Sequence, residues 1–121
     1  MDARVLTKDI PCGDKIYQVR KMDARTACWL FSNLAVKADG SSILSALGKC
    51  SRPEYDEIQN LSLKHIFRLD EKDGSTFPMA VISPDGLNWV DKNLSEDPAL
   101  VFKLTAEVIQ FNLDPFRDVS E

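Results

Sequence analysis

One histidine and three cysteines among 121 residues leave little from which to build a catalytic or metal centre. Cys12, Cys28 and Cys50 are widely spaced, odd in number and without a C-x-x-C pair, and His65 alone does not complete a zinc set. Cys28, beside Trp29 in a helical pattern, is expected to be a small core residue, and no reactive role is expected of any cysteine. The chain also lacks a G-x-S-x-G elbow and a glycine-rich phosphate loop, and Asp70-x-x-Asp73-Gly74 does not supply the alternating ligands of a calcium loop. An enzyme must gather a nucleophile, an acid–base pair or a metal in a pocket. The expectation is a protein without catalysis and without a cofactor.

No apolar run approaches the roughly 18 residues of a membrane span, and Met1-Asp2-Ala3-Arg4-Val5 has no signal-peptide core, so a cytoplasmic protein without a membrane partner is expected. A basic excess is missing as well, because 15 Lys and Arg stand against 19 Asp and Glu for a net charge of -4. Nucleic-acid affinity rests on neutralising phosphates, so no nucleic-acid partner is expected. The only basic cluster, Arg20-Lys21 with Arg25, reads as a solvated strand end and first helical turn. Asp70, Glu71, Asp73, Asp91, Glu96 and Asp97 fall on predicted turns and helix starts, where carboxylates serve solubility and capping. His65 reads as a hydrogen-bonded structural histidine.

What is present is an ordinary globular composition, 44% hydrophobic and 28% charged, with enough chain for one core. The reading is an α+β fold: a single small domain over 1–121, mainly helical, with an N-terminal β-hairpin, a middle hairpin and a long C-terminal helix. The N-terminal hairpin spans 4–21, with strands Val5–Ile10 and Lys15–Arg20 joined by Pro11-Cys12-Gly13-Asp14. A bare hairpin is marginally stable, so it must pack on helices or pair with other strands.

A helical and hairpin middle follows over 23–92. Asp23 caps a helix in which Ala27, Leu30, Phe31, Leu34, Ala35 and Ala38 share one face and Gly40 supplies the left-handed end. Ser42 to Gly48 forms a short helix burying Ile43, Leu44 and Leu47. Ser51-Arg52-Pro53-Glu54 has the spacing of a capping box, and opens a helix with Tyr55 and Ile58 inward. Leu61, Leu63, His65, Phe67 and Leu69 then alternate at period two, which favours a strand from Leu63 to Leu69, although Leu61, His65, Ile66 and Leu69 also satisfy a helix. Asp73-Gly74 turns the chain into a second strand, Thr76–Ile82, which Pro78 assigns to a sheet edge. Pro84-Asp85-Gly86 is another turn, and Leu87-Asn88-Trp89-Val90 a short apolar lead into the last helix.

That helix, 97–114, carries both of its ends in the sequence: Asp97 as cap, Pro98 in the first position, and Pro115 discouraging helix at Asp114. Glu96, Lys103, Glu107, Gln110 and Asp114 form one narrow wet stripe. The apolar remainder covers far more than the ~100° that suffices for a helix on one core, so burial on more than one side is expected. Thr105 and Asn112 lie opposite the wet stripe and need partners if buried, since an unpaired amide costs about 1–3 kcal/mol.

The order of pieces resembles a known family. A hairpin ending Tyr17-Gln18-Val19-Arg20-Lys21-Met22 runs into the helix Ala24 to Ala38; the segment Tyr55-Asp56-Glu57-Ile58, an apolar run ending Phe67-Arg68 and a loop with Gly86 follow; last comes Leu100 to Phe116. The arrangement resembles the tail assembly chaperones of long-tailed bacteriophages, with their Y-x-V-R-K strand and a final helix ending V-(I/L)-x-x-N-(L/F)-x-x-F. The resemblance implies a non-enzymatic protein of the infected host's cytoplasm, absent from the mature virion. It would bind apolar helical segments of the tape measure protein and help recruit tail tube subunits, with self-association open. On this reading the contact residues are Leu100, Leu104, Val108, Phe111, Asn112 and Phe116, with Trp29 and Trp89 as rim aromatics. Two other readings stand beside it: a small neck or tail-completion protein of the virion, and an acidic regulatory module that binds a protein.

Overall fold

The structure is a computed structural model and describes residues 6–38 and 42–117. Two tight hairpins supply its strands. β1 (Thr7–Cys12) and β2 (Lys15–Arg20) are joined through Gly13, whose φ of +65° is a left-handed conformation that glycine adopts without steric cost. β3 (Ile66–Lys72) and β4 (Ser75–Ala80) are joined through Asp73 and Gly74, at φ 53° and 78°, the positive values a two-residue turn needs to match the strand twist. The hairpins pair with each other through β2 and β3, giving one antiparallel sheet in the order β1-β2-β3-β4.

Between the hairpins lie α1 (Ala24–Ala38), α2 (Ile43–Gly48) and α3 (Arg52–Leu63); after them come α4 (Lys92–Ser95) and α5 (Pro98–Leu113), which tightens into a single 3-10 turn over Asp114–Arg117. The caps follow the sequence signals. Asp23 accepts from the Thr26 amide at 3.1 Å, Ser51 and Glu54 form the reciprocal capping box, and Asp97 accepts from the Leu100 amide at 3.1 Å. Lys37 bonds Glu54 at 2.7 Å, and this contact, followed by the Ser51 bonds, holds the Glu54 carboxyl down at about 2.

Several boundaries differ from the sequence reading. Pro11 and Cys12 belong to β1, not to the turn; β1 is an edge strand, where a missing N–H can face solvent. Leu63 completes α3, and the strand begins only at Ile66. β4 ends at Ala80, while Val81 and Ile82 continue into the core, with Ile82 bridged to Trp89. Cys28 is exposed, because Ala27, Leu30, Leu34 and Ala38 take the buried face of α1. Val5, Gly40 and the side chains of Ile43, Leu44 and Phe116 lie outside the described residues.

The faces of β3 are also reversed. Tyr17 pairs with Ile10 and Arg68, and Val19 with Ile66, so Ile10, Tyr17, Val19, Ile66 and Arg68 share the inner face. Phe67 and Leu69, the period-two apolar set, therefore point outward. A shift of one residue in strand phase exchanges the two faces.

α5 lies under the inner face. It touches β2 and each of the other four helices, and Leu104, Val108 and Ile109 are completely buried. Both polar residues on its dry side have partners. Thr105 Oγ1 donates to the Val101 carbonyl at 2.7 Å. Asn112 Oδ1 accepts from the Met22 amide at 2.6 Å, and its Nδ2 donates to the carbonyls of Arg20 at 3.1 Å and Val108 at 2.9 Å. The adjoining amides are tied elsewhere: Arg20 N–H to the His65 carbonyl at 2.9 Å, and Lys21 N–H to Leu6 at 3.0 Å. Lys21 Nζ itself lies 4.0 Å from the Phe111 ring centroid and donates to the Phe111 carbonyl, at the negative end of the α5 dipole.

A second polar joint fixes α4 against the sheet. Asp91, 3% exposed, caps α4 by accepting from the Leu94 amide at 3.0 Å, accepts from the Tyr17 hydroxyl at 2.9 Å, and lies 3.3 Å from Arg68 Nη1. Arg68 also bonds Asp70 through Nε at 2.8 Å and Nη2 at 3.0 Å. Burial alone pushes the Asp91 carboxyl up, but the Leu94 amide, the Tyr17 hydroxyl and the Arg68 guanidinium together hold it below the usual carboxylate range. The same burial, followed by the bond to Asp91, pushes the Tyr17 hydroxyl up.

Two stability predictions follow from these joints. Asn112→Ala leaves the Met22 amide without its acceptor and is expected to cost about 2–3 kcal/mol in urea unfolding, whereas a surface change at Lys103 stays within about 0.5 kcal/mol. Asp91 has a lowered folded pKa, so its contribution is present above its unfolded value of about 4 and is lost as pH falls through the folded value. Tyr17 has a raised folded pKa, so its contribution is present below about pH 10 and is lost above it. In Asp91→Asn, melting curves across pH are expected to lose the part of the acid-side dependence that Asp91 contributes below about pH 4, while the part carried by Glu54 and its Lys37 and Ser51 contacts remains.

Candidate protein-binding groove

The residues read from the sequence as contacts separate into two groups. Leu104 and Val108 are completely buried, and Asn112 is 3% exposed with its amide committed to backbone. These three are internal to the fold, because α5 is wrapped by its own domain on several sides. Leu100 and Phe111 are half-buried against the core, as is Trp89, whose backbone bridges Ile82. Phe116 has its backbone in the 3-10 turn. Trp29 is the open one, 38% exposed on α1.

Trp29 stands in a cleft of about 590 Å³ between α1 and α3, lined by Arg25, Thr26, Trp29, Glu57, Asn60, Leu61 and Lys64. The helical repeat accounts for the lining. Arg25 and Trp29 are four residues apart on one stripe of α1, and Glu57, Asn60, Leu61 and Lys64 follow the 3–4 spacing that puts side chains on one face of α3 and its C-cap. The turn at Gly86 abuts one end: a Cβ there would stand 3.6 Å from Asn60 and from Lys64. The groove thus combines an indole and a half-buried leucine with a rim of two cations, a carboxylate and an amide. Such a surface suits a helix that buries one apolar side chain between Trp29 and Leu61 and meets the rim with its own polar groups.

Of this set the sequence reading named only Trp29 as a contact, and placed Arg25 in a solvated first helical turn. Glu57, Asn60, Leu61 and Lys64 escaped because the strand was begun at Leu63, which put Lys64 on a strand and cut the helical stripe that runs from Glu57 to Lys64. The usable signal is the i, i+3, i+4, i+7 spacing of those four residues directly after the capping box.

A second cleft of about 570 Å³ lies at the other end of the sheet, with Asp14, Lys15, Arg68, Asp70, Glu71 and Asn93 among its walls. Arg68 and Asp70 there are already paired with each other. His65 is hydrogen-bonded through Nδ1 to the Leu61 carbonyl at 2.9 Å. Among the described residues no helix is long and apolar enough to cross a membrane. No protein-family model, curated protein or solved structure matches this chain.

The separation of buried from open residues is measurable. Leu104→Ala is expected to cost about 2–5 kcal/mol because it opens a cavity in the core, while Trp29→Ala costs about 1 kcal/mol or less. Chemical denaturation of the two variants checks the contrast.

Proposed function

We propose that this protein is a non-catalytic phage tail assembly chaperone, acting in the cytoplasm of the infected host, that holds an apolar helical segment of the tape measure protein and helps recruit tail tube subunits. The observation that carries the reading is the open groove at Trp29, an aromatic anchor set between two helical stripes with charges at the rim. A long helical tape exposes an apolar stripe that would aggregate before the tube encloses it, and a groove accepting one face of a helix shields that stripe. The contact with Asn112 adds support. Two of the segments that carry the family resemblance, Tyr17 to Met22 and Leu100 to Phe116, are bonded to each other through this side chain.

A tagged form co-expressed with the tape measure and tube proteins of its phage is expected to recover the tape measure protein. Trp29→Ala, which keeps the native circular dichroism spectrum, lowers recovery by at least about tenfold, as for a truncated tryptophan hot spot. Recovery of neither tail protein overturns the proposal, and detection of the chain in purified virions assigns it to the particle instead.

A further inference from the structure

The groove at Trp29 has two unlike ends. An ion pair between Lys37 and Glu54, at 2.7 Å, ties the last turn of α1 to the first turn of α3. The two helices therefore run in opposite directions along the groove, and the start of α1 lies beside the end of α3. This order sets Glu57 toward the tied end, Trp29 and Leu61 in the middle, and Arg25 and Lys64 at the far end. Glu57 is one helical turn from Leu61, and Arg25 is one turn from Trp29. An apolar centre is thus flanked, a turn away on either side, by charges of opposite sign.

Those two charges are left unpaired by the fold. Lys8, Lys37, Arg52 and Arg68 each hold a carboxylate of their own chain. Among the described residues Arg25 and Glu57 have no such partner, and both are exposed. Helical spacing gives Glu57 no cation, because Pro53, Glu54, Asn60 and Leu61 stand three and four residues away and Lys37 is taken by Glu54. Two carboxylates flank the far end without lining the groove. Asp23 accepts from the Thr26 amide at 3.1 Å and its hydroxyl at 2.5 Å, and Asp85 accepts from the Leu87 amide at 3.0 Å and the Ser83 hydroxyl. Their charge offsets that of Lys64 and the helix start, so the far end selects by contact: the Arg25 guanidinium grips a carboxylate with two parallel N–H groups.

We propose that the helix seated in this groove carries opposite charges one turn to either side of its apolar anchor, a lysine or arginine against Glu57 and an aspartate or glutamate against Arg25. The anchor itself enters between Trp29 and Leu61. Charge order then separates the segments that bind from segments that are merely apolar, since a helix with two like charges leaves one groove charge facing its own sign. This inference rests on the reading of the groove as a helix-binding site and says which helices enter it. It does not depend on the phage assignment: a failed recovery of tail proteins overturns that assignment and leaves the charge order standing.

Three alanine-rich helical peptides of roughly 15 residues test it, each with a central leucine and, four residues to either side, Lys and Glu, Lys and Lys, or Glu and Glu. Each is titrated to about 2 mM into the whole chain while the Trp29 indole N–H is followed by NMR, with Trp29→Ala identifying the signal. The Lys/Glu peptide is expected to half-saturate at about one fifth of the concentration that either like-charged peptide needs. In Glu57→Lys the groove charges are all positive and the Glu/Glu peptide becomes the best; in Glu57→Gln the Lys/Glu and Glu/Glu peptides become equal. Glu57 is exposed, so both variants keep the native circular dichroism spectrum. A like-charged peptide that matches Lys/Glu on the wild type overturns the proposal, as does an order unchanged by Glu57→Lys or a signal that no peptide moves.

Discussion

The fold depends on how the chain leaves the sheet at Arg20, Lys21 and Met22. Three successive amides are satisfied by three different parts of the molecule: the turn before β3, the start of β1, and the side chain of Asn112 on α5. No regular element could do this, because a strand sends its amides alternately to two neighbours and a helix sends them back along itself. A single amide side chain, which accepts at one end and donates twice at the other, closes the account for a stretch that would otherwise bury unpaired backbone. The position of α1 relative to the sheet, and with it the direction of Trp29, follows from that joint.

Asp91 plays the corresponding part at the far side of α5. Its carboxylate joins a sheet tyrosine, a sheet arginine and a helix start, so the short α4 is held to the sheet by charge as well as by the burial of Leu94. Between the two joints α5 needs only shape, and its buried side chains are correspondingly aliphatic apart from Thr105 and Asn112. The groove between α1 and α3, proposed as the contact site, lies on a surface that these joints do not use.

Much of this was legible in the residues. The caps at Asp23, Ser51 and Asp97, the Asp73-Gly74 turn, the edge position of Pro78 and the need for partners at Thr105 and Asn112 all rest on short-range chemistry and hold in the structure. What escaped was long-range. Asp91 reads locally as a helix cap, and nothing near it in sequence announces Tyr17 or Arg68. The phase of β3 is decided by its pairing with β2, which periodicity within β3 does not encode. On α5 the apolar face was plain, but whether its own domain or a partner covers it depends on where the other helices pack, and Leu104 and Val108 prove to be covered from within.

The order in which the elements occur has a consequence for synthesis. β1 and β2 are made first, yet β2 finds β3 only after three helices have been added, and the helix that packs against β2 is the last of the five. Each hairpin and each helix can form locally as it emerges, but the contacts that hold them together span most of the chain and cost loop entropy to close. Until α5 appears, β2 lacks the helix that packs against it. The nascent chain therefore leaves the ribosome as a set of unassembled parts, and the final cooperative step waits for the α5 segment, at whose C-terminal end Asn112 sits.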